Sequence, residues 1–478
     1  MNLVLLTPGT GSYHCGVCMR DNALAKELIR QGHRAVMLPM YLPLTLDEDD
    51  ATPGAPIFFG GVSTFLREKS RIFRAMPRWL DRVLSARWLL KMLAGRAAKT
   101  GGPAVAQMTL SMLRGEEGNQ SSEIEALIAW LRVAFDGAKP DAIWLSTALQ
   151  AGLARRLRAE LGVPVIGFLQ GEDTFLDGLG PAAAQAWALL AERMRDANVW
   201  VAPSRYFAEL MAKRLCYTAD EAAHQIRVVP NGVAIAGCRT DVPSVVVGQA
   251  APPVQTAPHA NHVPASDDSD RRDACPTTTG GTPVLLGYLA RFVPGKGIGL
   301  LIEAFILLQK RMPEVRLRCA GSMTADDARY VKKLKARLRE AGCESTVEWL
   351  PNVSREEKAA FLASLDVFST PATYSEAFGL YVIEAMAAGV PVVQPRASDF
   401  PEIIAATGGG VLFDLAENEH ASAENLAAAL ENLLRNLAEA RAIGECGRNA
   451  VQRDFSMAKL AERMCALTSS FSPDAASG

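Results

Sequence analysis

The chain has 478 residues, 49% of them apolar and 21% charged, with a formal net charge of −2. That length exceeds what one ordinary core serves and suits two domains with additions, in a soluble globular composition. The near-neutral balance gives no global argument for nucleic acid, so no nucleic-acid partner is expected.

In chain order, the opening MNLVLLTPGTGS has no basic n-region and too short an apolar run for a signal peptide. No run of about 18 uncharged apolar residues follows, so no membrane span is expected. The nine scattered cysteines suit reduced thiols and a cytoplasmic setting. Cys15 and Cys18 form a C-x-x-C pair with His14 beside it, one ligand short of a zinc set; a tight loop-helix junction explains the pair more simply. The runs NLVLLT, AVMLP, AIWL, VPVIGF, VWVA and IRVVP read as strands, alternating with helical stretches such as DNALAKELIRQG. Within this half, residues 65–99 carry ten Lys or Arg against Glu68 and Asp81, with Leu80, Leu84 and Trp88 at helical spacing. Such a face would dock on anionic lipid at the inner surface of a membrane or meet an acidic acceptor. The plainer reading is an amphipathic helical insertion packed on the first half with a solvated face.

From 241 to 282, Pro, Ala, Thr, Ser, Asp and Gly dominate without apolar periodicity, which reads as a low-complexity linker or insertion. Beyond it the strand-helix grammar returns in PVLLGYLA, VRLRCAG, TVEWL, DVFSTPA and VPVVQP. Continuous apolar strands alternating with amphipathic helices imply α/β architecture with parallel sheets covered on both faces. The expected division is 1–240 for a first Rossmann-like domain with a basic helical insertion near 60–115, 241–282 for the linker, and 283–455 for a second such domain. Residues 456–478 are expected to form a helix returning to the first domain, then a tail. Ligands of such sheets sit at the strands' carboxyl ends, so a cleft between the two halves is the default site.

Two stretches carry the chemistry. In GYLARFVPGKGIGLLIEAF, Arg291 and Lys296 lie on a loop before a helix, a pattern suited to phosphate or diphosphate; two solvated surface charges are the plain alternative. In YSEAFGLYVIEAMAAGVPVV, Glu376 falls just before a helix and Glu384 about a turn and a half into it. The backbone N–H groups of Phe378, Gly379 and Leu380 are expected to be free, as a second anion pocket. Ionised Glu is rarely buried without a partner. Paired hydroxyls of a sugar and a ribose would supply partners for both carboxylates.

The E-x7-E spacing of Glu376 and Glu384, with LARFVPGKG, VVPNGV and EAMAAGVPVV in order, resembles the GT-B fold, family 4-type ("group 1") retaining glycosyltransferases. The likeness is strong over about 284–460 and weaker before it, where ALAKELIRQGH and GTGSYHCG fit. It implies two doubly wound domains facing across a cleft and a hexosyltransferase-like activity on a nucleotide-sugar donor. It further implies retention, no metal, and no cofactor beyond the substrate itself. Arg291 and Lys296 would then neutralise the departing diphosphate. Glu376, with the backbone of Phe378, Gly379 and Leu380, would hold the donor sugar, and Glu384 would grip the ribose. The acceptor, whether glycan, lipid-linked or small molecule, would lie against the first half near Gly11, Gln170, Glu172 and Asp173.

The sequence also departs from the pattern. Gln170-Gly171 stands where relatives often carry His-Gly, and Gln cannot carry a proton; Glu172 or Asp173 would supply a base, or simply cap the next helix. Ala234 follows VVPNGV in place of Asp, and Ser398-Asp399-Phe400 replaces the usual Gly-Gly. A dinucleotide fingerprint at TPGTGSYHCG fails, since its third glycine is misplaced and AVMLPMY ends without an acid. A metal-dependent reading through Asp47 and Asp49 has only an acidic loop behind it. The remaining alternatives are a nucleotide-sugar epimerase on the same fold and a nucleotide-sugar-binding protein without turnover.

Overall fold

A computed structural model of the protein describes residues 1–9, 16–41, 46, 49–52, 55–58, 103–234 and 283–471. The basic stretch at 65–99, the segment 241–282, Gly11, His14, Cys15 and Asp47 lie outside the described residues. The first half runs β1 (Asn2–Thr7), α1 (Gly16–Arg30), β2 (Arg34–Pro39), α2 (Pro103–Arg114), α3 (Ser121–Leu131), β3 (Ala142–Leu145), α4 (Ala154–Leu161), β4 (Val165–Phe168), α5 (Glu172–Asp177), α6 (Ala183–Met194), β5 (Val199–Ala202), α7 (Arg205–Arg214), α8 (Ala219–Gln225) and β6 (Ile226–Val228). The second runs β7 (Val284–Leu289), α9 (Ile298–Gln309), β8 (Val315–Gly321), α10 (Ala328–Glu340), β9 (Val347–Pro351), α11 (Arg355–Ala363), β10 (Val367–Phe368), α12 (Leu380–Ala387), β11 (Val392–Pro395), α13 (Phe400–Thr407), β12 (Gly410–Phe413), α14 (Glu419–Arg435), α15 (Leu437–Asp454) and α16 (Met457–Ser469).

The strands form two six-stranded sheets, ordered β2-β1-β3-β4-β5-β6 and β12-β11-β10-β7-β8-β9. Every pairing between the named strands is parallel. The apolar runs follow from burial on both faces. In the first sheet Val4, Leu6, Ile143 and Leu145 join one core, while Leu3, Leu5, Ala142 and Trp144 join another across the sheet. In the second, Leu286, Tyr288 and Leu317 face one core and Leu289, Ala320 and Phe368 the other. This is the two-domain, doubly wound GT-B architecture. Strand β12 has no counterpart in the sequence reading. Its GVLF is short and follows two glycines, so its pairing with β11 (Val392↔Gly410) supplies what local pattern does not. No helix among the described residues is long and apolar enough to cross a membrane.

The two halves are tied twice at the hinge side. Val233 donates its N–H to the carbonyl of Phe455 (2.9 Å), and Met457 donates to the carbonyl of Val233 (3.0 Å). The crossing is so close that a Cβ on Gly232 would stand 2.7 Å from the Ser456 carbonyl oxygen, which is why a side chain has no room there. The chain then enters α16, which lies on α1. Its Leu460, Ala461 and Met464 bury with Leu3, Leu5 and Trp144, and Trp144 Nε1 donates to Thr468 Oγ1 at 3.1 Å. Since Met464 has no exposed surface, Met464→Ala should cost about 2–5 kcal/mol. A lowered midpoint for loss of near-ultraviolet circular dichroism on heating would show it; an unchanged midpoint would mean that this docking contributes little.

Candidate active site

The order of the second sheet reverses between β10 and β7, and the loops that leave the carboxyl ends of these two strands build the site. The β7 loop carries Arg291 and Lys296; the β10 loop carries Tyr374 and Glu376. Gly297 lets the loops meet. Its φ is 75°, and a Cβ there would lie 1.8 Å from the Pro371 carbonyl oxygen. Lys296 Nζ then stands 2.6 Å from Glu376 Oε2. The hydroxyls of Tyr374 (3.1 Å) and Tyr381 (2.9 Å) donate to the same oxygen. The ammonium sits 4.9 Å and 5.1 Å from the centroids of the two tyrosine rings. Burial, reinforced by the Glu376 charge, pushes both phenols upward and keeps them as donors.

This corrects one expectation. Glu376 is only 9% exposed, yet it needs no ligand to be satisfied, because an ammonium and two phenols already meet it. Glu384, on α12, pairs with Lys358 of α11 at 2.9 Å. Arg291 makes a two-pronged bond to Asp327, Nε to Oδ2 at 3.0 Å and Nη2 to Oδ1 at 3.1 Å. Burial would raise the Asp327 carboxyl, but the Arg291 and Thr324 hydrogen bonds outweigh it and hold it low. Arg291 thus faces Asp327 and Lys296 faces Glu376, each cation with a carboxylate of the chain.

The expected anion pocket at the start of α12 is corrected as well. Gly379 donates its N–H to Asp399 Oδ2 at 3.0 Å, and Leu380 donates to the Phe378 carbonyl at 2.8 Å. Asp399 has no exposed surface, and its Oδ1 has no hydrogen-bond partner. Burial first, and the Glu376 charge second, push its carboxyl well above the usual range. The chain's own carboxyl group therefore takes the Gly379 N–H that sequence pattern assigned to a ligand.

On the opposite wall, the carboxylate of Glu172 is fully engaged. It accepts from Thr147 Oγ1 (2.7 Å) and from the N–H groups of Ala148 (2.8 Å) and Gln170 (2.7 Å). It staples the loops after β3 and β4, which removes it as a base. Asp173 is buried, and its Oδ1 has no hydrogen-bond partner among the described residues; burial raises its carboxyl, against the lowering pull of the Thr174 N–H and the Ser375 hydroxyl. Gln170 Nε2, Gln150 Nε2 and Arg20 Nη1 are buried donors without a partner among the described residues. Arg20 and Ser146 are bridged by Asp21, which accepts from both, and Gln150 accepts the Ser146 N–H. The rim at the carboxyl ends of β3 and β4 thus offers spare N–H donors and one spare carboxylate oxygen.

Sequence reasoning missed Tyr374, Tyr381, Lys358 and Asp327. The tyrosines sit two before and five after Glu376, a spacing that faces them to it once the helix start is known. Lys358 lies on α11 and Asp327 immediately before α10, and neither left a local signal. Among the described residues no group of three or more His, Cys, Asp or Glu could hold a metal ion.

Two doubly wound domains with a cation-carboxylate centre at the second switch point define a GT-B transferase architecture. Comparison with known proteins agrees. Residues 276–450 match the model of the glycosyl transferases group 1 family and residues 114–236 that of Glycosyltransferase Family 4. The chain belongs to the GT-B-fold, family 4-type glycosyltransferases. A GDP-mannose-dependent phosphatidylinositol monomannoside mannosyltransferase of Mycolicibacterium smegmatis is 29% identical over 203 residues, 39% of this chain and 50% of that protein, so the match spans half the relative's length. Sucrose-phosphate synthase from Thermosynechococcus elongatus shares the fold at 17% identity and a TM-score of 0.62, covering 98% of each chain. An Anabaena protein crystallised with UDP-glucose does so at 16% identity and a TM-score of 0.58, covering 98% of this chain and 100% of that one.

The state of Asp399 has a consequence for pH. A carboxyl raised on folding stabilises the fold below the ordinary Asp range and loses that contribution as pH climbs through its raised value. Asp399→Asn keeps an acceptor for the Gly379 N–H and cannot ionise. Its melting temperature should gain on wild type as pH rises from about 4. Parallel melting curves across that range would contradict this.

Proposed function

We propose that the protein transfers a sugar from a nucleotide-sugar donor to an acceptor held against its N-terminal domain, with retention and without a metal ion. The observation that carries this reading is the Lys296–Glu376 pair, at 2.6 Å, at the meeting of the β7 and β10 loops. A diphosphate arriving beside Arg291 and Lys296 competes for both cations. Each cation at about 4 Å contributes roughly 4 kcal/mol at an effective dielectric near 20, and this attraction grows as charge develops on the leaving group. As Lys296 turns toward phosphate, Glu376 keeps its two tyrosine donors and gains freedom to accept a sugar hydroxyl. Glu384, steadied by Lys358, accepts the ribose hydroxyls.

On the acceptor side, Asp173 supplies the spare carboxylate oxygen and Gln170, Gln150 and Arg20 the spare donors. That complement suits a hydroxyl-rich acceptor, whether glycan, lipid-linked or small molecule. We place the reaction in the cytoplasm, with the basic composition of 65–99 favouring contact with an anionic membrane surface. An epimerase on the same fold would act without an acceptor, and a nucleotide-sugar sensor would bind without turnover. Measuring donor consumption with and without acceptor separates all three.

Glu376 and Glu384 should fail differently. Glu376→Gln should lower kcat more than donor affinity, and should leave binding of the free nucleoside diphosphate nearly unchanged. Glu384→Gln should raise the donor KM and weaken that nucleotide too. Calorimetric titration of the nucleotide into both variants is the measurement, and equal losses would mean that the two roles are misassigned. Turnover should also survive EDTA; loss of activity restored by Mg²⁺ or Mn²⁺ would overturn the metal-independent reading.

A further inference from the structure

The turn between β11 and α13 touches three separate parts of the molecule. Ser398 has φ 56°, in the left-handed region that favours glycine. Its hydroxyl is tied on both sides, accepting the Glu376 N–H at 3.1 Å and donating to the Tyr374 carbonyl at 3.3 Å. Asp399 accepts the Gly379 N–H and so holds the start of α12. Glu402 reaches the other way. Its carboxylate accepts the N–H groups of Arg205 (2.9 Å) and Tyr206 (2.6 Å), in the first turn of α7 of the N-terminal domain, where the helix end favours negative charge.

Helix α7 returns the contact. Ser204 Oγ donates to the Ala377 carbonyl at 2.9 Å, and the Tyr206 hydroxyl bonds to Ser375 Oγ at 3.1 Å. Ser375 and Ala377 are therefore held by the opposite domain, and the amide of Glu376 between them is held by Ser398.

We propose that the segment from Ser398, in the turn after β11, to Glu402, in the first turn of α13, is a positioning element that makes the placement of Glu376 conditional on closure of the cleft. Glu402 engages the N-terminal domain through α7, while Ser398 and Asp399 fix the Glu376 loop and the start of α12. The inference rests on the reading of Glu376 as the donor-side carboxylate. Opening the cleft breaks the Glu402, Ser204 and Tyr206 contacts together and leaves the loop held from one side only. Nucleotide contacts at Arg291 and Glu384 lie outside this bracket and persist. The chain would then bind nucleotide in either state and assemble the sugar site only in the closed one.

The test uses the full-length chain with Glu402→Ala, Tyr206→Phe and Ser398→Gly. Three readouts apply: hydrogen exchange of peptides spanning 374–379, calorimetric binding of UDP, GDP and ADP, and transfer kinetics. Each variant should raise exchange at 374–379 and lower kcat roughly tenfold to a hundredfold, with nucleotide affinity within about twofold of wild type. Glu402→Gln, which keeps one acceptor oxygen, should recover part of the loss. Unaltered exchange at 374–379 in folded Glu402→Ala and Tyr206→Phe would overturn the proposal, as would a loss of nucleotide affinity equal to the loss in kcat. If wild type turned over no nucleotide sugar, the functional reading would fall, while the exchange data would still decide the coupling.

Discussion

An ionised carboxylate withdrawn from water must be met by hydrogen-bond donors or a counter-charge, and Glu376 brings that demand into the candidate site. Its Oε2 gathers Lys296, Tyr374 and Tyr381, and much of the second domain's design follows from bringing those three groups together. Lys296 has to arrive from the loop of one strand and Glu376 from that of its neighbour, which places the pair at the reversal in strand order. The loops touch only because Gly297 carries no side chain against Pro371. Tyr381 must lie in the first turn of α12, so the helix has to start where it does, and Asp399 fixes that start from below. The cost of burying Asp399 beside Glu376 is lowered if Asp399 is neutral, which agrees with the direction of its shift.

The fold was legible because its signals are local and repeated. Continuous apolar strands between amphipathic helices specify parallel sheets buried on both faces, and the alternation of Leu3, Val4, Leu5 and Leu6 between two cores shows the rule at work. Strand β12 escaped because three apolar residues after a run of glycines cannot outvote a loop until β11 lies beside them. The positions of Arg291, Lys296, Glu376 and Glu384 were legible as loop-and-helix-start residues at strand ends. Their partners were not. Lys358 and Asp327 meet them through tertiary packing, and no spacing in the sequence encodes a contact between helices far apart in the chain.

Two readings failed for a common reason. The anion pocket at Gly379 and the ligand-dependent burial of Glu376 both assumed that unsatisfied groups at a helix start wait for a substrate. A folded chain tends instead to satisfy buried polar groups from its own side chains. The candidate site holds its polar groups in internal pairs, Lys296 with Glu376, Lys358 with Glu384, Arg291 with Asp327, and on the proposed reading a ligand would bind by exchange. Exchange keeps the empty site from exposing unpaired charge. Under the proposed function, part of a diphosphate's attraction would be spent on releasing a cation from its carboxylate.

The domain interface extends the same logic across the cleft. Rather than leaving the first N–H groups of α7 to water, the structure meets them with Glu402, and rather than leaving the residues around Glu376 loose it binds them to Ser204 and Tyr206. Both sets of groups are solvated when the domains part, so each contact trades water for protein at modest net gain. Under the proposed coupling, several such contacts made at once would favour a closed state that a bound substrate could tip. A two-domain transferase needs that balance. Donor and acceptor must enter an open cleft, yet transfer to water is avoided only where closure has expelled it. Placing the contacts of closure on the residues that flank Glu376 ties the exclusion of water to the assembly of the group that would hold the sugar.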